Sequence, residues 1–324
     1  MERVRDRKMK VLANDGVSQS GIDALETAGI EVLTTKVAQE QLVNYINENN
    51  VDVLLVRSAT KVRKDIIDNC TNLKIIGRGG VGMDNIDVEY ARDKGIHVIN
   101  TPAASSHSVA ELVFAHLYGL ARYLHNANRD MPLDGDTKFK DLKKAYAKGT
   151  ELKGKTLGVF GFGRIGQATA KVALGVGMKV IAYDPFIEKA NLELDFFDGQ
   201  TLNFAIETIS KEAVLEQSDF ITLHVPAQKD YVIGKAEFNM MKDGVILVNA
   251  ARGGVIDEVA LVEAINSGKV ARAALDVFEK EPQPEIQLLM NPALSLTPHT
   301  GAATNEAQDR IGTELASQII NILG

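Results

Sequence analysis

One cysteine and no tryptophan occur among the 324 residues of this chain. A lone Cys70 cannot close an internal disulfide, which rules out a disulfide framework and points to a reducing compartment. It sits in Asp68-Asn69-Cys70-Thr71 with no basic neighbour. Reactive thiols need an electropositive setting, so Cys70 reads as a bystander. Long apolar runs are missing too, since none approaches the ~18 residues of a membrane span. The charged start, Met1-Glu2-Arg3-Val4-Arg5-Asp6-Arg7-Lys8, leads into no apolar export core, and Glu2 and Asp6 count against an organellar leader. A cytoplasmic location is the expectation. No long basic run occurs either: 36 Lys and Arg stand against 43 Asp and Glu, a net charge of -7. A nucleic acid or membrane partner is therefore not expected, and an anionic substrate must be met by local charges.

What is present is the balance of a globular protein, with 45% hydrophobic and 24% charged residues, in a chain long enough for two domains. Apolar, β-branched runs alternate with helix-like stretches at Val11 to Ala13, Glu31 to Leu33, Val51 to Val56, Leu73 to Ile76 and His97 to Ile99. Runs apolar on both faces with helical links predict parallel strands, hence a doubly wound α/β lobe. Asn100-Thr101-Pro102 breaks the pattern. A helix is predicted over Ser108 to Asn126, and a surface loop or short helix over Asn128 to Gly149. A second lobe then begins, with strands at Thr156 to Phe160, Val180 to Tyr183, Phe220 to Val225, Val245 to Asn249, Ala271 to Leu275 and Leu294 to Leu296. A final amphipathic helix over Asn305 to Leu323 is expected to return to the first lobe.

The turn Gly161-Phe162-Gly163-Arg164-Ile165-Gly166 follows a predicted strand and opens a predicted helix. In that setting Gly161 allows a tight turn, Gly163 lets backbone approach a pyrophosphate, and Gly166 packs helix on strand, with the helix N-terminus facing the anion. Asp184 lies 18 residues beyond Gly166 at the end of the next strand, where a carboxylate can accept from both adenosine ribose hydroxyls. It would also repel a 2'-phosphate, so NAD is favoured over NADP. The alternative is that Asp184 simply caps a helix after the strand.

Three side chains could react. Arg252, in Asn249-Ala250-Ala251-Arg252-Gly253-Gly254, closes an apolar strand and suits a bidentate grip on a carboxylate, although alone it could equally be a surface ion pair. Glu281 precedes Pro282, and His299 lies between Pro298 and Thr300. Together they offer an anchor, a titratable acid/base and a carboxylate to orient the imidazole, which reversible hydride transfer at a carbinol carbon requires. His97, His116 and His125 have no neighbours at ligand spacing and read as structural, and no metal site is expected.

These motifs, with Gly154-Lys155-Thr156-Leu157-Gly158, Val248 to Asp257, Ala274 to Pro282 and Thr297-Pro298-His299-Thr300-Gly301-Ala302, make the chain resemble the D-isomer-specific 2-hydroxyacid dehydrogenases over nearly its whole length. The resemblance implies a flavodoxin-like substrate-binding domain at 1–103 and 298–324 and a Rossmann NAD-binding domain at 104–297. It makes Arg252 the carboxylate ligand, His299 the acid/base and Glu281 its partner, chosen over Glu279 because the family carboxylate directly precedes the proline. Arg164, Ile165, His224, Val225, Pro226, Ala250, Ala251, Gly301 and Ala302 would border the cofactor, with Asp276 facing the nicotinamide carboxamide. A homodimer through the nucleotide domain is also implied.

Substrate choice is expected in Val56-Arg57-Ser58-Ala59-Thr60-Lys61-Val62 and Gly77-Arg78-Gly79-Gly80-Val81-Gly82-Met83-Asp84-Asn85, which end two first-lobe strands. Backbone N–H groups of Gly79 and Gly80 can bind a carboxylate. Arg57 and Arg78, with Ser58 beside them, can neutralise a second anionic group, or else pair with nearby acids. These segments look most like those of 3-phosphoglycerate dehydrogenases, the first step of serine biosynthesis. The chain ends at Gly324, so the extra regulatory domains of long relatives are not expected, while Lys143 or Lys144 could reach a neighbouring subunit's phosphate. The rivals are a hydroxypyruvate or glyoxylate reductase and an NAD(H)-sensing interaction protein.

Overall fold

The computed structural model describes residues 7–323; Gly324 and residues 1–6, on which the leader question turned, lie outside the described residues. The chain forms two compact units, one running to Ser106 and resuming at Ala302, the other spanning His107–Gly301. The divisions fall a few residues beyond 103 and 297. Gly301 stays with the second unit because its N–H is bound to Asp276 (2.9 Å) and its carbonyl to the Ser108 hydroxyl (2.7 Å).

In the first unit β1 (Lys10–Ala13), β2 (Glu31–Leu33), β3 (Val53–Val56), β4 (Ile75–Arg78) and β5 (His97–Asn100) form a parallel sheet in the order β2-β1-β3-β4-β5. Successive strand residues feed opposite faces. Leu12, Leu54, Val56 and Ile76 pack with α2 (Leu42–Asn49) and α3 (Lys64–Asn69). Val11, Ala13, Val53, Leu55 and Ile75 pack with α1 (Gln19–Thr27) and the C-terminal helix Asn305–Leu323. Each fully buried aliphatic side chain contributes about 1.5–3 kcal/mol, which is why the strands read as continuous apolar runs rather than alternating ones. The short α4 (Val88–Asp93) connects β4 to β5.

The second unit opens with α5 (Ser106–Ala121), α6 (Leu124–Asp134) and α7 (Phe139–Ala145). The helix predicted to reach Asn126 therefore breaks early, at Tyr123, whose φ of 58° is left-handed, and of the loop or short helix expected over Asn128 to Gly149 the helical alternative holds, in the end of α6 and in α7. Next come β6 (Thr156–Phe160), α8 (Arg164–Val176), β7 (Lys179–Tyr183), β8 (Lys189–Asp195), β9 (Thr201–Glu207), α9 (Lys211–Gln217), β10 (Phe220–Leu223), α10 (Lys235–Met240), β11 (Val245–Asn249), α11 (Glu258–Asn266), β12 (Val270–Leu275), α12 (Ile286–Leu289) and β13 (Leu294–Leu296). A parallel sheet runs β13-β12-β11-β10-β6-β7. One face packs on α9, α10 and α11 through Phe160, Leu223, Leu247 and Leu275; the other packs on α5 and α8 through Val159, Phe220, Val248 and Ala274. The hairpin β8-β9 was not foreseen. It buries Leu192 but leaves most of β9 exposed, so its apolar pattern is weak. Among the described residues no helix is long and apolar enough to cross a membrane.

Helix α1 and the C-terminal helix touch backbone to backbone. A Cβ on Gly21 would lie 2.8 Å from backbone carbons of Gly312, and one on Gly312 would lie 2.1 Å from Oγ of Ser18, the N-cap of α1. Gly312→Ala should lower stability by about 1–3 kcal/mol, the usual cost of overpacking, read as a lower urea midpoint. Gly175→Ala, where a Cβ in α8 meets nothing within 4 Å, should leave the midpoint unchanged or raise it.

Candidate active site

The second sheet reverses strand order between β6 and β10, where doubly wound sheets bind ligands. Gly161 turns there with φ of 85°, and a Cβ on it would lie 2.6 Å from the His224 carbonyl oxygen. A Cβ on Gly166 would meet the Gly161 carbonyl at 2.1 Å, so this glycine permits the helix to pack against the turn. At Gly163 a Cβ would meet nothing within 4 Å. Gly163 is also the N-cap of α8 without a side-chain cap, and the helix has no acidic residue in its first turn. Open space before uncapped N–H groups is what a pyrophosphate needs. Arg164 stands exposed at the helix start and Ile165 is half-buried.

Asp184 is busier than expected. Its oxygens accept from the N–H groups of Phe162 (2.7 Å), Phe186 (2.8 Å) and Ile187 (3.1 Å). No helix follows, so Asp184 is not the helix cap of the alternative but binds loop N–H groups, and of about four acceptor positions on a carboxylate one is left for a ribose hydroxyl rather than two. His224 pairs Nε2 with the Thr222 hydroxyl (3.0 Å), while its buried Nδ1 has no protein partner. Burial pushes this imidazole down to about 3, so it is neutral and keeps one unused polar atom. Val225 lies close by and Pro226 is exposed. Open backbone at Gly163, the remaining acceptor of Asp184 and the orphan nitrogen of His224 fit a bound dinucleotide.

A second cluster is built on the ends of β11, β12 and β13. Asn249 locks the turn after β11: its Oδ1 accepts from the Ala251 N–H (3.0 Å) and its Nδ2 donates to the Arg252 carbonyl (2.9 Å). Ala250 and Ala251 are buried, and Arg252 donates to the Ala251 carbonyl (2.6 Å). Gly253 lets this turn approach the next, since a Cβ on it would stand 1.8 Å from the Phe278 carbonyl oxygen. That next turn carries Glu281. One Glu281 oxygen accepts from the Phe278 N–H (3.1 Å) and the other meets Nδ1 of His299 at 2.9 Å. A carboxylate only accepts, so Nδ1 is the donor and Nε2 of His299 is left to react. Burial raises the Glu281 carboxyl, but the His299 bond, the Phe278 N–H and the Arg252 charge outweigh it and hold it below the usual carboxylate range. Glu279 turns away: its N–H donates to the Glu258 carboxylate (2.8 Å) and its carboxylate accepts from the Glu258 N–H (3.2 Å), which separates it from Glu281.

Asp276 also holds the loop that carries His299. It is 1% exposed, and its Oδ1 takes the Thr297 hydroxyl (2.6 Å) and the Thr300 N–H (2.7 Å) and hydroxyl (3.3 Å), while Oδ2 takes the Gly301 N–H (2.9 Å). Oδ1 is filled by that loop, and Oδ2 keeps one acceptor position. Gly301 has both backbone groups engaged, and the Ala302 carbonyl accepts from the Gln308 side chain.

In the first unit Arg57 and Arg78 end β3 and β4. The Arg57 side chain passes over Gly79, and Nη1 of Arg78 lies 2.0 Å from where a Gly80 Cβ would be. Gly79 does not offer the free N–H expected of it, because parallel pairing continues past the strand and that N–H donates to the Val56 carbonyl (2.9 Å). Two residues that organise this region had no role assigned from sequence, Asp15 and, at the end of the second segment, Asn85. Asp15 accepts from the N–H groups of Arg57 (2.7 Å) and Thr60 (3.0 Å), and Asn85 donates to the Arg57 and Thr60 carbonyls (2.7 and 2.6 Å) and accepts from Arg78 Nε (3.4 Å). A carboxylate two residues past an apolar strand was the available signal for Asp15. Ser58, Lys143 and Lys144 are exposed. Cys70 is buried, which pushes its thiol up to about 11. Among the described residues no group of three or more His, Cys, Asp or Glu is placed to hold a metal ion.

Comparison with known proteins is consistent with this geometry. Residues 114–301 match the D-isomer specific 2-hydroxyacid dehydrogenase, NAD binding domain. A hydroxypyruvate reductase of Thermotoga maritima is 45% identical over 98% of this chain and 99% of its own length. A D-3-phosphoglycerate dehydrogenase of Methanocaldococcus jannaschii is 43% identical over 97% of this chain, which spans 57% of that longer protein. Among solved structures, the D-lactate dehydrogenase of Aquifex aeolicus, complexed with NAD and lactic acid, is similar with a TM-score of 0.75 and 29% identity over 98% of this chain and 95% of that one. This chain belongs to the D-isomer-specific 2-hydroxyacid dehydrogenase family, and its second unit is the family's NAD-binding domain.

Proposed function

We propose that this chain oxidises D-3-phosphoglycerate to 3-phosphohydroxypyruvate, the first step of serine biosynthesis, and reduces the ketoacid in reverse. The observation that carries the substrate is the pair Arg57 and Arg78 laid over the Gly79-Gly80 backbone, two guanidinium groups where a lactate-like acid needs none. Arg252 holds the carboxylate. Nε2 of His299 takes the hydroxyl proton, and the Glu281 carboxylate on Nδ1 stabilises the imidazolium that results. NAD, when bound, supplies the acceptor for the hydride leaving C2. In the reverse direction the protonated His299 returns the proton. A cytoplasmic homodimer is part of this reading, supported by the apolar surface of Tyr118, Leu124, Met131 and Leu133 on α5 and α6.

A second reading, hydroxypyruvate reduction, is favoured by the reductase relative whose whole length this chain matches. NADH oxidation with 3-phosphohydroxypyruvate, hydroxypyruvate and glyoxylate at matched concentrations separates the two. The proposal expects a strong preference for the phosphorylated acid, and equal or better use of the others would reject it. Loss of one charge-assisted hydrogen bond costs about 1.5–3 kcal/mol. Arg57→Ala or Arg78→Ala should therefore raise KM for the phosphorylated acid roughly 10- to 100-fold while hardly moving that for hydroxypyruvate. His299→Ala should lower kcat by roughly 10²- to 10⁴-fold, and near-normal turnover would sink its assignment. The Glu281 carboxylate accepts from Nδ1 of His299 at 2.9 Å. Glu281→Gln, which loses that charge-assisted bond, should lower kcat roughly 10- to 100-fold, and an unchanged kcat would argue against the pair.

A further inference from the structure

We propose that His116, on α5, is a positioning residue for His299, acting through a directed hydrogen-bond relay that runs Ser295, His116, Thr297, Asp276. The inference rests on the reading of His299 as the acid/base. His116 is 5% exposed and does not contact His299, yet both its ring nitrogens are bonded, Nδ1 to the Ser295 hydroxyl (3.0 Å) and Nε2 to the Thr297 hydroxyl (3.1 Å).

The direction follows from donor counting. Asp276 accepts on both oxygens from Thr297, Thr300 and Gly301, so the single Thr297 hydroxyl proton points at Asp276. The Thr297 oxygen can then only accept from His116, which must carry its proton on Nε2. Nδ1 becomes the acceptor and Ser295 the donor. Burial lowers the basicity of His116, in keeping with a neutral ring. Hydrogen bonds aligned this way polarise one another toward the buried carboxylate.

The consequence falls on His299. It sits at φ 55°, a left-handed conformation that costs a non-glycine residue about 1–3 kcal/mol and persists only where the surroundings impose it. Thr297 and Thr300 bracket it, and both bind the same oxygen of Asp276. The Thr297 N–H is tied as well, to the Leu275 carbonyl (3.1 Å). Asp276 thus fixes both sides of the His299 loop, while the Nε2–H of His116 fills the acceptor position of the Thr297 oxygen. Losing His116 leaves that oxygen without its donor, removes the polarisation that strengthens the Thr297 bond to Asp276, and loosens the imidazole against Glu281.

The test has two arms. In the full chain with NADH and 15N-labelled histidine, long-range 1H–15N correlation, assigned by the signal missing in His116→Gln, should show His116 neutral and protonated on Nε2. A ring protonated on Nδ1, or an imidazolium, would overturn the relay. In kinetics, His116→Leu and Thr297→Val should each lower kcat on the order of 10-fold, short of the 100-fold of a full 1 Å misplacement, with KM and NADH affinity held within about twofold. His116→Gln and Thr297→Ser, which keep a donor and a hydroxyl, should recover most of the loss. The double variant His116→Leu with Thr297→Val should be no worse than either single one, as coupled residues behave. Additive losses, or a lower melting temperature with kcat intact, would mean that His116 only fills the core. Should His299→Ala turn over normally, the acid/base reading fails while the tautomer result stands by itself.

Discussion

A carboxylate removed from water must find hydrogen-bond donors, and Asp276 finds them in the residues on either side of His299. The rest of the candidate site depends on that constraint. Asp276 follows β12 directly, so its position is set by the sheet, and the loop after β13 has to come to it. Once Thr297, Thr300 and Gly301 are bound, the direction of the His299 side chain follows, and Glu281 meets its Nδ1. Burial makes the arrangement stringent, because an unmatched polar group there would cost about 1–3 kcal/mol.

Close backbone approaches supply the remaining precision. Gly253 admits the Phe278 carbonyl, bringing the Arg252 turn against the Glu281 turn, and Gly166 admits the Gly161 carbonyl, setting α8 on the nucleotide turn. Neither glycine is needed for its φ; each is needed because another chain segment occupies the place of a side chain. Gly161 and Gly254 do the complementary work with left-handed turns. The reacting side chains are thereby held by strand ends and tight turns rather than by mobile segments, which suits chemistry that depends on sub-ångström geometry.

The same economy appears in the first unit. Asp15 and Asn85 spend their hydrogen bonds on the backbone around Arg57 and on the Arg78 side chain, so the two guanidinium groups extend from an ordered base. The Gly79 N–H is consumed by the sheet for the same reason that its neighbours are rigid: β3 and β4 continue pairing to the end of the strand.

Much of this was legible in the sequence, because it rests on short-range regularities. Apolar runs of parallel strands, the glycine spacing at 161–166 and a final amphipathic helix are patterns of composition and period, and they announced two doubly wound sheets and a dinucleotide turn. The motifs around Arg252, Glu281 and His299 marked the candidate set, and Glu281 and His299 do meet. The hairpin at Lys189–Glu207 escaped notice because half of its apolar face stays exposed and its alternation is weak. Asp276, Asp184 and His116 carried no local sign of their bonding. What each accepts or donates is decided by residues as far as 181 positions away in the chain, His116 to Thr297 being the longest reach. Pattern along the chain determined which elements and chemical groups this protein has; only tertiary folding decided which acceptors were already spent, because a hydrogen bond belongs to whichever partner the packed core brings within 3 Å.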